Sequence, residues 1–321
     1  MDNNLRDKLI DQALICESLE AMLGSGIPIL DVFETLSDEF VDYRHKLRHV
    51  RDRVAEGKGI AFALDQYDQK YEFAQFTPGF NQMIDFGESH KFLGSVLNGM
   101  TKIYQSKVEL ADLGADDKTL DKHTFYSMMA GLIDVGIPVL PAFKIIEKSV
   151  NSDWADVVSE IHDSCAQGYP TVTGIKKHPD YFTPFEIGFV GVGEQTGSLD
   201  DTAQKVAESY GWDIKLQDKP ELKETYDKMQ FFYLFSKSGG LQLQDALEVL
   251  GEHSDYLPNE VMDLISIHTP KRNLGEMVRE FPKYFSGLDA NMIAAGEHRK
   301  ELDKNLEKLS NLYKRELELK T

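Results

Sequence analysis

Residues 185–209 read FEIGFVGVGEQTGSLDDTAQKVAES. Two readings compete for this stretch. An apolar strand running into a glycine-rich turn and then a helix would outline a dinucleotide-binding fingerprint, in which backbone amides and a helix N-terminus hold a pyrophosphate. A helix rich in small residues, packed closely on a neighbour, would have the same composition. The choice between them sets the fold class, and the rest of the chain decides it.

The stretch has two partners elsewhere in the sequence. FTPGFNQMIDFGESHKFL (76–93), FTPFEIGFVGVGEQTGSL (182–199) and FSGLDANMIAAGEHRKEL (285–302) each begin with Phe, a hydroxyl residue and Pro or Gly, and each carries Gly-Glu at the same place: Gly87-Glu88, Gly193-Glu194 and Gly296-Glu297. A second anchor precedes each of them. MLGSGIPILDVFETL (22–36), LIDVGIPVLPAFKII (132–146) and SKSGGLQLQDALEVL (236–250) align on Gly26, Gly136 and Gly240. Two anchors in fixed order, three times over, mark an internal repeat. In that register Gly188 and Gly191 face Gln82 and Asp85 in the first copy and Asn291 and Ala294 in the third. A phosphate cradle does not tolerate such side chains, so the helical reading is preferred. Thr77, Thr183 and Ser286 are expected N-caps, and Pro78 and Pro184 suit a first helical position.

The second copy lays out the unit. An amphipathic helix over about 122–135 stops at Gly136, and another starts at Ile137-Pro138. A third begins at Asp153 with Trp154, Val157, Val158, Ile161 and Cys165 at helical spacing, and ends at Gly168. A short helix near 171–177, the Thr183-capped helix and a long one over about 198–215 follow. The expectation is an all-α chain of three tandem six-helix bundles of antiparallel helices, spanning 1–118, 119–218 and 219–321. The charged joints 108–120 and 213–224 connect them.

Composition narrows the function. Of 321 residues 54 are acidic and 35 basic, a formal net charge of −19. That argues against a phosphate-neutralising surface for DNA or RNA and equally against docking on anionic lipid. The only cysteines, Cys16 and Cys165, form no CxxC pair. No apolar run approaches the length of a membrane span, and the opening residues carry no signal-peptide core, which predicts a cytoplasmic chain without direct membrane insertion. Neither a Walker-type Gly-x-x-x-x-Gly-Lys nor a Gly-x-Ser-x-Gly elbow occurs, so no nucleotide cofactor and no such nucleophile are expected.

The repeat anchors resemble a known family. Gly-Ile-Pro-(Leu/Val)-Leu after an amphipathic helix, a glycine ending the third helix, then Phe-x-Pro and Gly-Glu-x-(Ser/Thr)-Gly-x-Leu are similar to the cytoplasmic domain of type II secretion F proteins and of the PilC-like platform proteins of type IV pili. The second copy matches best, through Gly136-Ile137-Pro138-Val139-Leu140, Gly168, Phe182-Thr183-Pro184 and Gly193 to Leu199. The first copy has Lys91 in place of the later glycine, and the third departs at Leu241-Gln242-Leu243 and at His298-Arg299-Lys300. The resemblance implies six-helix bundles without enzymatic activity of their own, placed between an assembly ATPase and the pilin being moved. Members usually have two such domains with membrane helices; the three copies here, without an apparent span, fit a soluble adaptor or scaffold. Expected partners are an assembly ATPase or a platform protein, with a homo-oligomer as a further option.

Two sets of residues stand out as candidates. Glu88, Glu194 and Glu297 are either a shared contact or ion site, or structural groups holding the turn between the last two helices through free backbone amides. Arg44, Arg48 and Arg51, in the basic segment 43–53, form the main cationic patch of an acidic protein and could meet an acidic partner. His45 and His49 in that segment have helical metal-ligand spacing but sit among cations, so the segment is read as a solvated basic face and no metal is assigned. Two other functional classes stay open: a regulatory binding module unrelated to secretion, and a helical-repeat enzyme with a carboxylate site near the Gly-Glu turns.

Overall fold

A computed structural model describes residues 3–71, 75–238, 257–268 and 272–321. The secondary structure of these residues is helical, with turns between the helices, and no strand occurs among them. The stretch 185–209 is therefore two helices and the turn between them, not a strand-turn-helix. The third-copy anchor around Gly240 lies outside the described residues.

The chain divides into two compact units, Met1–Asp163 and Ser164–Thr321. In the first, α1 (Asn3–Gly24), α2 (Ile29–Glu39), α3 (Arg44–Ala55), α4 (Ile60–Tyr71), α5 (Phe80–His90) and α6 (Leu93–Asp112) follow one another with short turns. Then come α7 (Asp117–Asp134), α8 (Val139–Glu147) and α9 (Ser152–Ala166), within which the unit boundary falls. From α1 to α8 successive helices pack on each other, and α6 returns to lie along α1. Leu9, Ala13 and Cys16 of α1 and Leu97, Met100 and Tyr104 of α6 recur at helical spacing and are all buried.

The turn after α1 shows how the sequence ends a helix here. Gly26 has φ +79° and Gly136 has φ +85°, a left-handed conformation that a side chain would strain. Around them Ile27 N bonds Met22 O and Ile137 N bonds Leu132 O, the six-to-one closure that satisfies carbonyls at a helix end. Pro28 and Pro138 then precede α2 and α8 without needing an amide of their own.

The second unit holds α10 (Thr171–Ile175), α11 (Pro184–Thr196), α12 (Leu199–Leu216), α13 (Lys223–Lys237), α14 (Asn259–His268), α15 (Leu274–Met277), α16 (Gly287–Arg299) and α17 (Leu302–Lys320). α13 lies along α17, as α1 lies along α6. The aromatic run Phe231, Phe232, Tyr233 and Phe235 is buried on α13, where Phe232 stacks on Tyr313 of α17 at 5.9 Å between ring centres.

Two expectations need correction. Thr183 and Ser286 are N-caps with complete capping boxes, but Thr77 is not: α5 begins only at Phe80, after Gly79 at φ +85°. The position that supplies Glu186 and Asp289 to the boxes holds Phe80 in the first copy, so no carboxylate is available to close one. The joints are also shorter than their charged strings: α6 ends at Asp112 and α7 starts at Asp117, capped by Asp116.

Candidate functional site

The Gly-Glu pairs build the same junction three times. Glu88 accepts from Ile60 N at 2.7 Å and Ala61 N at 2.8 Å, at the start of α4. Glu194 accepts from Thr171 N at 2.6 Å and Val172 N at 3.1 Å, at the start of α10. Glu297 accepts from Leu274 N at 2.6 Å and Gly275 N at 2.8 Å, at the start of α15. One oxygen goes to each amide every time. These amides lie in the first turn, where a helix has no internal acceptors and its dipole is positive, so a carboxylate is the favoured occupant. The sequence places these glutamates at the turn between the last two helices; the structure has them reach from there to the start of an earlier helix, α4, α10 or α15, more than twenty residues back in the chain.

The preceding glycine has a steric cause. A Cβ on Gly87, Gly193 or Gly296 would stand 2.9 Å from the Cα of Leu93, Leu199 or Leu302, respectively. The next helix starts so close that only hydrogen fits. Gly-Glu thus combines a close backbone crossing with a carboxylate that ties the crossing to a third helix. All three glutamates are half-buried.

Behind each junction sits a tyrosine, Tyr104, Tyr210 or Tyr313, at one fixed distance from the glutamate along the chain. Tyr210 donates to Glu186, the capping-box carboxylate of α11, and Tyr313 donates to Asp289, that of α16, at 2.6 Å. Asp289 is fully buried and is also paired with Lys228 at 2.8 Å. The first copy lacks the carboxylate and substitutes an amide from far away. Gln12 Oε1 accepts from Thr77 N at 3.0 Å and from Thr77 Oγ1 at 2.8 Å, and Thr77 Oγ1 lies 3.1 Å from the Tyr104 hydroxyl. Burial pushes the Tyr104 and Tyr313 hydroxyls well above the ordinary tyrosine range, so both keep their protons, and Tyr313 donates its own to Asp289.

The basic segment is arranged differently from its sequence reading. Arg48 pairs with Asp38 at 3.1 Å, Arg51 pairs with Glu34 and with Asp52, and Arg44 Nε bonds the carbonyl of Ser37 at 3.1 Å. The three arginines therefore meet the end of α2 within their own unit. Lys46 is not on a solvated face: it is fully buried, 2.6 Å from Asp68 and 4.6 Å from the ring centre of Phe76. His45 is exposed, while burial foremost, aided by Arg53, lowers the pKa of the half-buried His49. No group of three or more His, Cys, Asp or Glu side chains placed to hold a metal ion occurs among the described residues.

Gln12, Lys46 with Asp68, and Lys228 with Asp289 were not among the sequence candidates. The tyrosines were recoverable, since they stand in register in all three copies. The lysine pairs and Gln12 carry no local signal, because their partners lie 22 to 65 residues away.

Comparison with known proteins gives the same direction. The profile of the family "Type II secretion system (T2SS), protein F" matches residues 15–112 and 125–234. The type IV pilus assembly protein PilC of Pseudomonas aeruginosa is 29% identical over 107 residues, 33% of this chain and 29% of that protein. The type 4 fimbrial assembly protein PilC of Pseudomonas putida is 28% identical over 88 residues, 27% of this chain and 22% of that protein. The type IV pilus assembly protein PilC of Thermus thermophilus is 28% identical over 113 residues, 35% of this chain and 28% of that protein. The chain thus spans under a third of the length of these relatives. No helix among the described residues is long and apolar enough to cross a membrane. With two matched segments that together cover well over half its length, the chain belongs to the type II secretion system protein F family.

Proposed function

We propose that this chain is a non-enzymatic helical scaffold, built from three copies of the F-type bundle at 1–118, 119–218 and 219–321, that serves a pilus or secretion assembly through protein–protein contacts. The third copy goes beyond the two matched segments. Its support is the Glu297 junction, which repeats the contacts of Glu88 and Glu194 atom for atom, together with the close approach of Gly296 to Leu302. The observation that carries the non-enzymatic reading is the use of the three glutamates. Each commits both oxygens to backbone amides, so the carboxylates that a helical-repeat enzyme would need are structural groups holding the start of a helix.

The partners proposed are an assembly ATPase, a platform protein or a pilin of the host, in a cytoplasmic setting. The Arg44, Arg48 and Arg51 patch is offered to such a partner only together with Glu34 and Asp38, so it is a mixed-charge surface rather than a cationic one. The test is co-purification of the tagged chain from gently lysed native cells, followed by identification of the bound proteins. Recovery of assembly components supports the proposal, provided the pairing is reproduced with the purified proteins. Recovery of the chain alone, or with unrelated metabolic proteins, overturns the assembly role and favours a free-standing regulatory module.

A further inference from the structure

Within each compact unit the last helix of one series lies against the first helix of the next: α6 packs on α7, and α12 on α13. Ile103 of α6 is 7% exposed, and its Cδ1 lies 3.8 Å from where a Cβ on Gly131 of α7 would stand. On α12 the positions in register with Ile103, Ser106 and Leu110 are Ser209, Trp212 and Leu216, all buried. There Ser209 and the neighbouring Asp213 meet the hydroxyl of Tyr226 on α13. This row of positions is the joint face of the helix.

On α17 the same row is Leu312, Arg315 and Leu319. It keeps two large apolar side chains and yet is uncovered: Leu312 is 46% exposed and Leu319 81%, with Arg315 exposed between them. The matching row on the first helix of a series is Thr124, Ser127 and Gly131 of α7, which in α1 becomes Leu14, Glu17 and Ala21. Leu14 is 44% exposed, and Glu17 and Ala21 are exposed too. Each half of a joint is therefore present on this chain, facing solvent.

We propose that α17 of one chain docks on α1 of a second copy of this chain, repeating the antiparallel α6–α7 joint. The register follows from the existing joint. Leu312 takes the place of Ile103 and meets Ala21 where Gly131 stands, Leu319 covers Leu14, and Arg315 faces Glu17. Apolar pairs flank one complementary charge pair, which fixes both partner and orientation. Because the two faces differ, the contact is heterologous and leaves a free α17 and a free α1 at the ends, so association continues beyond a dimer.

This inference rests on the three-copy register of the proposed function but not on a role in secretion. Sedimentation of the full chain over a wide concentration range, at low salt, tests it. The weight-average mass rises with concentration without a plateau at the dimer. Arg315→Glu and Glu17→Arg each weaken association by about tenfold or more, since like charges then face each other. The chain carrying both reversals regains it, and Leu312→Asp with Leu319→Asp abolishes it. All these positions are exposed, so wild-type melting curves certify folding. A monomer at every concentration, a dimer that grows no further, or association indifferent to both charge reversals overturns the inference. Such a failure leaves the repeat itself standing, because the repeat is read independently from amide exchange at the glutamate junctions.

Discussion

Glu297 and Leu274 are joined by a 2.6 Å bond from backbone amide to carboxylate, the same bond that joins Glu88 to Ile60 and Glu194 to Thr171. Each glutamate bridges the end of one helix to the start of another far from it in sequence. Replacing any of them with Ala leaves two first-turn amides without a protein acceptor. Glu88→Ala, Glu194→Ala and Glu297→Ala are each expected to cost about 1–2 kcal/mol, measured by denaturant titration. Glu→Gln is expected to cost less, because the amide oxygen retains one of the two bonds.

The glycine before each glutamate answers to a different force. An added methyl at Gly87 or Gly296 meets the backbone of Leu93 or Leu302 at 2.9 Å, and at Gly193 it also falls on Thr202 Oγ1. Backbone cannot step aside as a flexible side chain can. Each Gly→Ala change here is expected to destabilise by about 1–3 kcal/mol. Gly99→Ala, inside α6 with nothing within 4 Å of the new methyl, is the control and is expected to stabilise by about 0.5–1 kcal/mol. Thermal melts of the four variants separate the two effects by sign.

After Gly-Glu the copies diverge in a measurable way. α5 and α16 end on Lys91 at φ 63° and Lys300 at φ 59°, where α11 ends on Gly197 at φ 73°. A side chain in this region costs about 1 kcal/mol relative to glycine. Lys91→Gly and Lys300→Gly are therefore expected to raise stability by up to about 1 kcal/mol, and Gly197→Ala to lower it by a similar amount. An unchanged midpoint in both lysine variants counts against the strain.

A pH dependence follows from His123. It is buried on α7 with Nε2 3.1 Å from the Ser127 hydroxyl, and burial, seconded by Lys107, brings its pKa down to about 4. The unfolded chain takes up this proton near pH 6.5, the folded chain only near 4. The stability is therefore whole above about pH 6.5 and is lost progressively as pH falls toward 4, by up to about 3 kcal/mol. His123→Leu is expected to flatten this part of the stability profile between pH 7 and 4, while the slope due to carboxylates remains. Parallel slopes in the two proteins would remove the assignment.

Sequence carried the fold well where the determinants are local. Thr183 with Glu186 and Ser286 with Asp289 are capping boxes legible as three-residue spacings, and both close as such. Gly26 and Gly136 mark helix ends by residue type alone. The failures share one physical cause. Periodicity assigns a residue to a face but not to a partner, so the sequence suggests a cap at Thr77, whose acceptor is in fact Gln12, 65 residues away. Segment 43–53 reads as one solvated basic face, although Lys46 within it turns inward onto Asp68 and Phe76. The glutamates are legible as a feature repeated in all three copies but not in their target, since nothing near Glu88 in sequence points to Ile60.

The central claim is that one carboxylate junction, made three times, organises the chain, including the region beyond the two matched segments. Amide hydrogen exchange at Leu274 and Gly275, compared between the unaltered chain and Glu297→Ala under native conditions, tests it most directly. The account predicts protected amides that exchange at least about tenfold faster in the variant, with Glu88→Ala doing the same at Ile60 and Ala61. Exchange at Leu274 and Gly275 that is as fast in the unaltered chain as in the variant would contradict it.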